Sequence, residues 1–303
     1  MIRLLYRELL LKWIKNKKLM KIWPKISIVT PSYNQGPFIE QTIQSVLSQN
    51  YPNLEYVVID GNSTDESKKI IEKYQKKLTH YESKKDRGQS HAINKGFAKT
   101  SGEIMAWLNS DDIYRPGTLH LVASIFANFP EIEWLTCLPA TITAEGQQVY
   151  LAQPPLYVRS LIRSGMYTRK MLGFVMQEGT FWRRSLWEKS GNKLVEIPYT
   201  MDMKLWQEFA RHASLHLVEA SLAAYRLNPN RKNNDNHQKY YAEMRSHWPS
   251  FVAMLIKFFW RQIAKIAHAC RLVPKIYFDQ KTLEWKFRKN ILSVKTLKLL
   301  GNT

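Results

Sequence analysis

Glu103-Ile104-Met105-Ala106-Trp107-Leu108-Asn109-Ser110-Asp111-Asp112 is a short, largely apolar run that ends in two adjacent carboxylates. Its first six residues read as a buried strand. Two acids at the exit of such a strand are costly, because like charges repel and partial burial penalises keeping both ionised. A hard divalent cation offsets that cost, since it prefers oxygen ligands and can hold phosphates at the same time. The competing reading is a turn. Ser-Asp-Asp ahead of Arg115-Pro116-Gly117 also starts helices well. For an isolated Asp-Asp pair the turn is the commoner outcome, so the decision rests on what precedes it.

Upstream, strands and helices alternate with short connections. A strand at Lys25 to Thr30 ends in Pro31-Ser32-Tyr33-Asn34, and Phe38 to Gln49 has helical apolar spacing. Leu54 to Ile59 reads as a second strand, ending in Asp60-Gly61-Asn62-Ser63, with a helix from Thr64-Asp65 to about Lys77. Leu78 to Glu82 is a short third strand, and Asp86-Arg87-Gly88 leads a helix through Lys99. This alternation is the signature of a doubly wound α/β fold with a mostly parallel sheet flanked by helices. In such sheets ligands bind at the carboxyl ends of the strands. Asn34, Asp60, Asp86 and Asp111 all fall just past expected strand ends, which favours one shared site over four separate turns.

Beyond residue 130 the pattern is mixed. Strands are expected at Glu133 to Leu138, Gln147 to Leu151 and Gln177 to Trp182, and helices at Pro154 to Arg163 and Met201 to Arg211. Leu215 to Glu219 and Ala223 to Leu227 look extended, ahead of a polar loop at Asn228 to His237. Trp134, Trp182, Trp187 and Trp206 read as core residues, and His91 as a surface or hydrogen-bonded one.

The 303 residues carry a formal charge of +20, and its location matters more than its size. Residues 1–25 hold eight Lys/Arg and one Glu, and residues 249–303 hold eleven Lys/Arg against Asp279 and Glu284. The middle is therefore an ordinary, near-neutral domain with basic ends. From Phe251 to Cys270, Lys257, Arg261, Lys265 and His268 recur on one helical face, with Phe258, Phe259, Ile263 and Ile266 elsewhere. A basic stripe beside a wide apolar face suits a helix lying on an anionic membrane surface better than one binding nucleic acid. The division expected is a basic amphipathic helix at 1–24, a catalytic domain at 25–240 split near 120 into donor and acceptor sides, and a basic helical region at 241–303. Cys137 and Cys270 have no metal-ligand spacing and suit a reducing compartment. Together these features place the chain in the cytoplasm, peripheral at the inner face of the membrane.

No glycine-rich phosphate loop occurs, which argues against a dinucleotide fold or a P-loop NTPase. Acids at a sheet edge without a glycine cradle bind phosphates through a metal, which points to a nucleotide-diphosphate ligand. Ile28-Val29-Thr30-Pro31-Ser32-Tyr33-Asn34, Val58 to Asp65, Asp86-x-Gly88 followed by Ala92-x-Asn94-Lys95-Gly96, and Gly102-Glu103 through Asp112 resemble family 2 glycosyltransferases. Four motifs in the family's order cover about residues 25–120.

The resemblance implies a GT-A fold and an inverting hexosyl transfer from a nucleotide-diphosphate sugar, a UDP-sugar foremost. The acceptor would be a saccharide or a lipid-linked glycan of cell-surface polysaccharide synthesis. Pro31, Tyr33 and Asn34 would line the base pocket, Asp60 and Asp86 would contact the nucleoside, and Asn109 and Ser110 would flank the donor. Asn109 stands where many members have Asp. Asp111, with Asp112 beside it, matches the acid that holds Mn²⁺ or Mg²⁺. Asp202, in Met201-Asp202-Met203-Lys204-Leu205-Trp206, matches the base, with Glu178 as the reserve. Members often carry a His shortly after a Tyr-Arg pair. Here Leu227-Asn228 follow Tyr225-Arg226, so Arg226 or Arg231 is expected to make the late phosphate contact.

Two other classes compete. A sugar nucleotidyltransferase would want a basic, glycine-rich loop after the first strand, and Pro31 to Gly36 carries no Lys or Arg. A non-enzymatic basic membrane or nucleic-acid adaptor leaves the aligned acids unexplained, because acids repel phosphate.

Overall fold

The structure, a computed structural model, describes residues 23–151, 156–168, 171–228, 239, 242–243, 255–256, 258–260, 262–263, 266, 275–279, 282 and 284–288. In chain order the donor half comprises β1 (Ile26–Ser32), α1 (Gly36–Leu47), β2 (Leu54–Asp60), α2 (Ser67–Tyr74), β3 (His80–Ser83), α3 (Gln89–Phe97), β4 (Ile104–Trp107) and β5 (Ile113–Tyr114). There follow α4 (Thr118–Asn128), β6 (Trp134–Cys137), β7 (Ala140–Ile142), β8 (Gln148–Leu151), α5 (Arg159–Arg163), β9 (Phe181–Arg183) and α6 (Arg184–Lys189). The chain continues through α7 (Met201–His212), β10 (Leu215–Val218), β11 (Ala223–Arg226), β12 (Lys275–Asp279) and β13 (Glu284–Arg288).

Among the described residues the main sheet has nine strands in the order β13-β12-β10-β6-β9-β4-β1-β2-β3. β1 lies between β2 and β4 and is parallel to both. It is buried at all seven positions, with Ser27 and Thr30 set among its apolar residues. α1 covers the sheet with Ile39, Ile43 and Val46, spaced as one helical stripe. β9 runs antiparallel between β4 and β6, and β6, β10 and β12 are parallel. The mixed α/β fold with a large, mostly parallel sheet agrees with the sequence.

A second sheet, in the order β5-β11-β7-β8, branches off where β4 ends. Only five residues separate the last residue of β4 from the first of β5, and Asp111 and Asp112 occupy that passage. The acids therefore sit at the junction of two sheets.

Two expectations are corrected. Gln177 to Trp182 is not one strand: a 3₁₀ turn at Gln177–Gly179 precedes β9. Gly179 packs against Cys137, whose Sγ would lie 2.2 Å from an added Cβ, and the chain bends at that contact. The region 241–303 is not helical throughout, because β12 and β13 pair antiparallel and join the sheet beside β10. Trp285 and Phe287 pack on the core there, and Lys275 Nζ lies 2.6 Å from Glu219. The helix expected within 1–24 falls almost wholly outside the described residues, as do Arg231 and His237.

The core on the acceptor side is a tryptophan cluster. Trp206 stacks on Trp107 with ring centroids 5.8 Å apart and planes at 10°, and it also contacts Trp134 and Trp182. These four rings are buried, and so is Trp187, so the four tryptophans expected in the core, Trp134, Trp182, Trp187 and Trp206, all lie there. This stack fixes the direction of α7. Phe209 meets Trp134 and Trp182, whereas Trp206, nearly a turn earlier, also reaches Trp107 at the end of β4. The N-terminus of α7 thus points to the carboxyl edge of the sheet, where the acids are.

Candidate active site

The first two strand exits are stitched together. Asn34 and Asn62 both adopt left-handed backbone (φ 52° and 66°), which Asn tolerates better than most residues. The Asn34 N–H donates to Ser63 Oγ at 2.9 Å, and the Thr64 N–H donates to Asn34 Oδ1 at 2.9 Å. Asp65 accepts from the Gly36 and Ser67 N–H groups, which holds its carboxyl below the usual range. Tyr33 stands out from this platform at 61% exposure, an aromatic face without a covering partner surface. An added Cβ on Gly61 would lie 3.3 Å from the Tyr33 ring and 3.2 Å from Asp86 Oδ2, so Gly61 lets these two approach. Asp86 also accepts from the Gly88 N–H at 2.7 Å, at the start of α3.

Asp60 does not present its carboxylate to that platform. It is fully buried and accepts from the Ser63 N–H (2.9 Å), Ser63 Oγ (2.5 Å) and Ser83 Oγ (2.7 Å). Its place is to shape the β2 exit, and the exposed residues of this set are Tyr33 and Asn34, with Asp86 half-buried beside them.

At the β4 exit, Gln89 donates to Asn109 Oδ1 at 2.7 Å, linking α3 to the acid turn. The Thr42 hydroxyl of α1 faces the carbonyls of Ser110 (2.9 Å) and Asp112 (2.7 Å). Asp112 is fully buried and accepts from the Arg226 N–H at 2.9 Å and Asn109 Nδ2 at 3.3 Å. Asp111, at 6% exposure, meets Asn228 Nδ2 at 3.2 Å. The pair is thus divided, with Asp112 tying β11 to the turn and Asp111 at the site.

Arg226 departs from its expected role. Fully buried, it donates from Nε to the Asp111 carbonyl (2.7 Å) and from Nη1 to the Ala144 carbonyl (2.5 Å). Nη2 donates to Gln41 Oε1 (2.8 Å), and the guanidinium lies 5.3 Å from the Phe38 ring centroid. It clamps the acid turn to the small sheet instead of reaching out to phosphate. Replacing it by Met leaves several buried carbonyls unpaired, so Arg226→Met is expected to lower unfolding stability by roughly 2–4 kcal/mol. Chemical denaturation checks this. A variant of wild-type stability with only a raised donor KM would restore the phosphate role.

Asn228 is the residue the sequence reading missed. It follows the Tyr225-Arg226 pair by two positions, and its amide lies between Asp111 and Gln35 Oε1 (3.5 Å). The signal was the pair itself, which marks where the chain returns to the acid turn.

On the acceptor side, Asp202 opens α7 and lines a small cavity with Tyr167, Val175, Trp206 and Gln207. Burial pushes its carboxyl up to about 6, although the Met203 N–H at 2.8 Å opposes the shift. Glu243 accepts from the Tyr199 and Thr200 N–H groups, both at 3.0 Å, and so caps this helix; nothing in the sequence announced it. Glu178 is buried in the 3₁₀ turn, which packs against β4, β5 and β11.

Among the described residues no three His, Cys, Asp or Glu side chains gather to hold a cation. The carboxylate at the site is that of Asp111. A Mg²⁺-like ion fits such a donor set, since it commonly takes one or two carboxylates together with substrate phosphates and waters.

Comparison with known proteins agrees with this geometry. Residues 27–139 match the family described as "Glycosyl transferase family 2". An uncharacterized glycosyltransferase of Rickettsia prowazekii is 26% identical over 239 residues, covering 77% of this chain and 73% of its own. The putative teichuronic acid biosynthesis glycosyltransferase TuaG of Bacillus subtilis is 34% identical over 99 residues, 32% of this chain and 39% of that one. Among solved structures, S. aureus TarS 1-349 with UDP-GlcNAc superposes with a TM-score of 0.55 at 19% identity, covering 74% of this chain and 62% of that one. The mannosyltransferase PcManGT of Pyrobaculum calidifontis, with GDP-Man and Mn²⁺, gives 0.55 at 18% identity over 88% and 81%. Residues 27–139, which carry the four strand-exit loops, thus match a glycosyltransferase family 2 domain.

Proposed function

We propose that the protein transfers a single sugar from a nucleotide-diphosphate sugar to an acceptor hydroxyl, with inversion at the anomeric carbon. The observation that carries this is the meeting of three elements at one sheet edge: Tyr33 and Asp86, Asp111, and the Asp202-bearing end of α7. Tyr33 offers a face on which the base stacks, and Asp86 accepts from the nucleoside. Asp111 would hold Mn²⁺ or Mg²⁺ together with the diphosphate, and the ion would supply neutralisation of the leaving phosphates.

The chain's own residues supply the rest. Asp202 takes the proton of the acceptor hydroxyl as its oxygen attacks C1, and the bond from C1 to the diphosphate oxygen breaks. A single base suffices for such a direct displacement. The relatives' names favour polysaccharide synthesis. TarS with UDP-GlcNAc supports a UDP-sugar, and PcManGT with GDP-Man keeps a GDP-sugar in the comparison.

The test is a panel of nucleotide-sugars with Mn²⁺, read by nucleotide release. Release of nucleoside diphosphate supports transfer, whereas release of pyrophosphate would indicate a nucleotidyltransferase. Tyr33→Ala is expected to raise the donor KM roughly five- to 150-fold, one stacked base being worth about 1–3 kcal/mol, without changing the melting temperature. An unchanged KM would remove Tyr33 from the base pocket.

The same reading includes a peripheral membrane position at the inner face. Leu255, Phe258, Phe259, Ile263 and Ile266 are helical and exposed, in a stretch whose sequence also carries Lys257, Arg261 and Lys265. Among the described residues no helix is long and apolar enough to cross a membrane. An apolar face flanked by cations favours lying on an anionic bilayer.

A further inference from the structure

α7 has two working faces. Asp202, Trp206 and Phe209 share one, and Lys204, Glu208 and Arg211 share another. On the second face a groove of about 400 Å³ opens between α7, the end of α5 and the segment that follows α6. Its floor is apolar, with Leu194 and Leu205 buried. Its walls carry the exposed cations Arg163, Lys193, Lys204 and Arg211. The carboxylate among the lining residues, Glu208, is already engaged, 3.3 Å from Arg211 and 3.7 Å from His212. Among the described residues the buried Ser190 Oγ, of a residue that lines the groove, has no hydrogen-bond partner. An excess of cations around a concave surface suits an anion.

The groove adjoins the chemistry. Gln207 lines both this groove and the Asp202 cavity, and its Nε2 donates to the Arg163 carbonyl at 3.3 Å. Asp202 and Gln207 are five residues apart, about 7–8 Å along the helix axis. The opposite wall is anchored to the donor side. Asn94 of α3 exchanges two hydrogen bonds with Leu194 (2.8 and 2.9 Å), and Arg87, next to Asp86, pairs bidentately with Glu196 at 2.8 Å. The wall is therefore held in register with the donor loop.

We infer that this groove is an acceptor subsite for an oxyanion, phosphate or carboxylate, carried by the acceptor saccharide next to the hydroxyl that is glycosylated. The inference rests on the proposed transfer at Asp202 and names the acceptor class for it. A lipid surface fits less well, because the cations line a concavity that a flat bilayer cannot enter.

The experiment measures binding to the full chain by titration calorimetry. The probes are a hexuronate oligosaccharide, a sugar-alcohol phosphodiester oligomer, a neutral oligosaccharide of equal length, and vesicles containing anionic phospholipid. At least one anionic oligomer is expected to bind, weakening with added salt, and the neutral one to bind more weakly. The first two probes separate carboxylate from phosphate. In Lys193→Gln/Lys204→Gln, anionic affinity should fall roughly five- to tenfold, the size of two partly exposed charge contacts. Arg163→Gln serves as an independent second variant, with the melting temperature reporting the fold. The inference is overturned if neither anionic oligomer binds wild type, if the variants bind as tightly as wild type, or if only vesicle binding falls. Nucleoside diphosphate release without any acceptor scores the transfer reading separately, so the two can fail independently.

Discussion

Asp202→Asn is expected to lower kcat by roughly 10²–10⁴-fold, the range over which a positioned general base contributes, while leaving nucleotide affinity within about twofold. The amide keeps the shape but cannot take a proton. The wild-type pH profile follows from the environment of the carboxyl. Burial raises it to about 6, and the base works only when ionised, so kcat/KM should climb as pH passes through about 6 and then level off. Stability runs the other way. The folded state binds this proton more tightly than the unfolded chain does, so its contribution is present at low pH and is lost as pH rises through about 6. At pH 7.5 Asp202→Asn removes a buried negative charge, and the variant should melt at or above the wild-type temperature. An inactive variant that melts well below wild type would make Asp202 a structural cap of α7. Full activity would pass the role of base to Glu178 or beyond.

On the proposed function, Asp111→Asn is expected to abolish cation-dependent donor turnover, a loss of at least about 10²-fold, and to erase the thermal shift expected of wild type with UDP and Mn²⁺. The fold should survive, because the Asp111 carbonyl that Arg226 grips is kept in the Asn variant. Asp112 provides the contrast. Its carboxylate accepts from the Arg226 N–H and Asn109 inside the sheet junction, so Asp112→Ala should cost stability first. The two variants separate if only Asp111 belongs to the reacting site. A nucleotide shift that persists in Asp111→Asn with Mn²⁺ would remove the ion from that carboxylate.

What was legible in the sequence follows from locality. β1, β2 and β4 announce themselves because strands buried on both faces carry near-continuous apolar runs, and the polar residues at their ends mark the ligand edge. Asp86, Tyr33 and Asp111 could be placed because each lies within a few residues of such an end. Asp60 and Asp112 lie as close, yet their carboxylates turn inward. Spacing shows where a side chain leaves the backbone and not which donors wait for it. Asp60 meets Ser83 from another strand, and Asp112 meets Arg226 from 114 residues away. Arg226 was misjudged for the same reason, since a buried guanidinium holding carbonyls and an exposed one awaiting phosphate look alike in sequence. Asn228 and Glu243 were silent because their partners, Asp111 and the Thr200 N–H, come to them only through the fold. β12 and β13 were read as helical because lysine-rich sequence with scattered apolar residues carries no clear period.

The hairpin of β12 and β13 has a mechanical consequence. Asn228 fastens the chain at the acid turn, and Lys275 fastens it again in the main sheet beside β10. Phe258 and Phe259 therefore lie in sequence between two anchored points of the fold. A tail lets a tethered enzyme tumble about one pivot. A span gripped along its length fixes two points and removes most of that rotational freedom. Whatever surface engages Phe258 and Phe259 would therefore dictate which way the Asp111 edge faces.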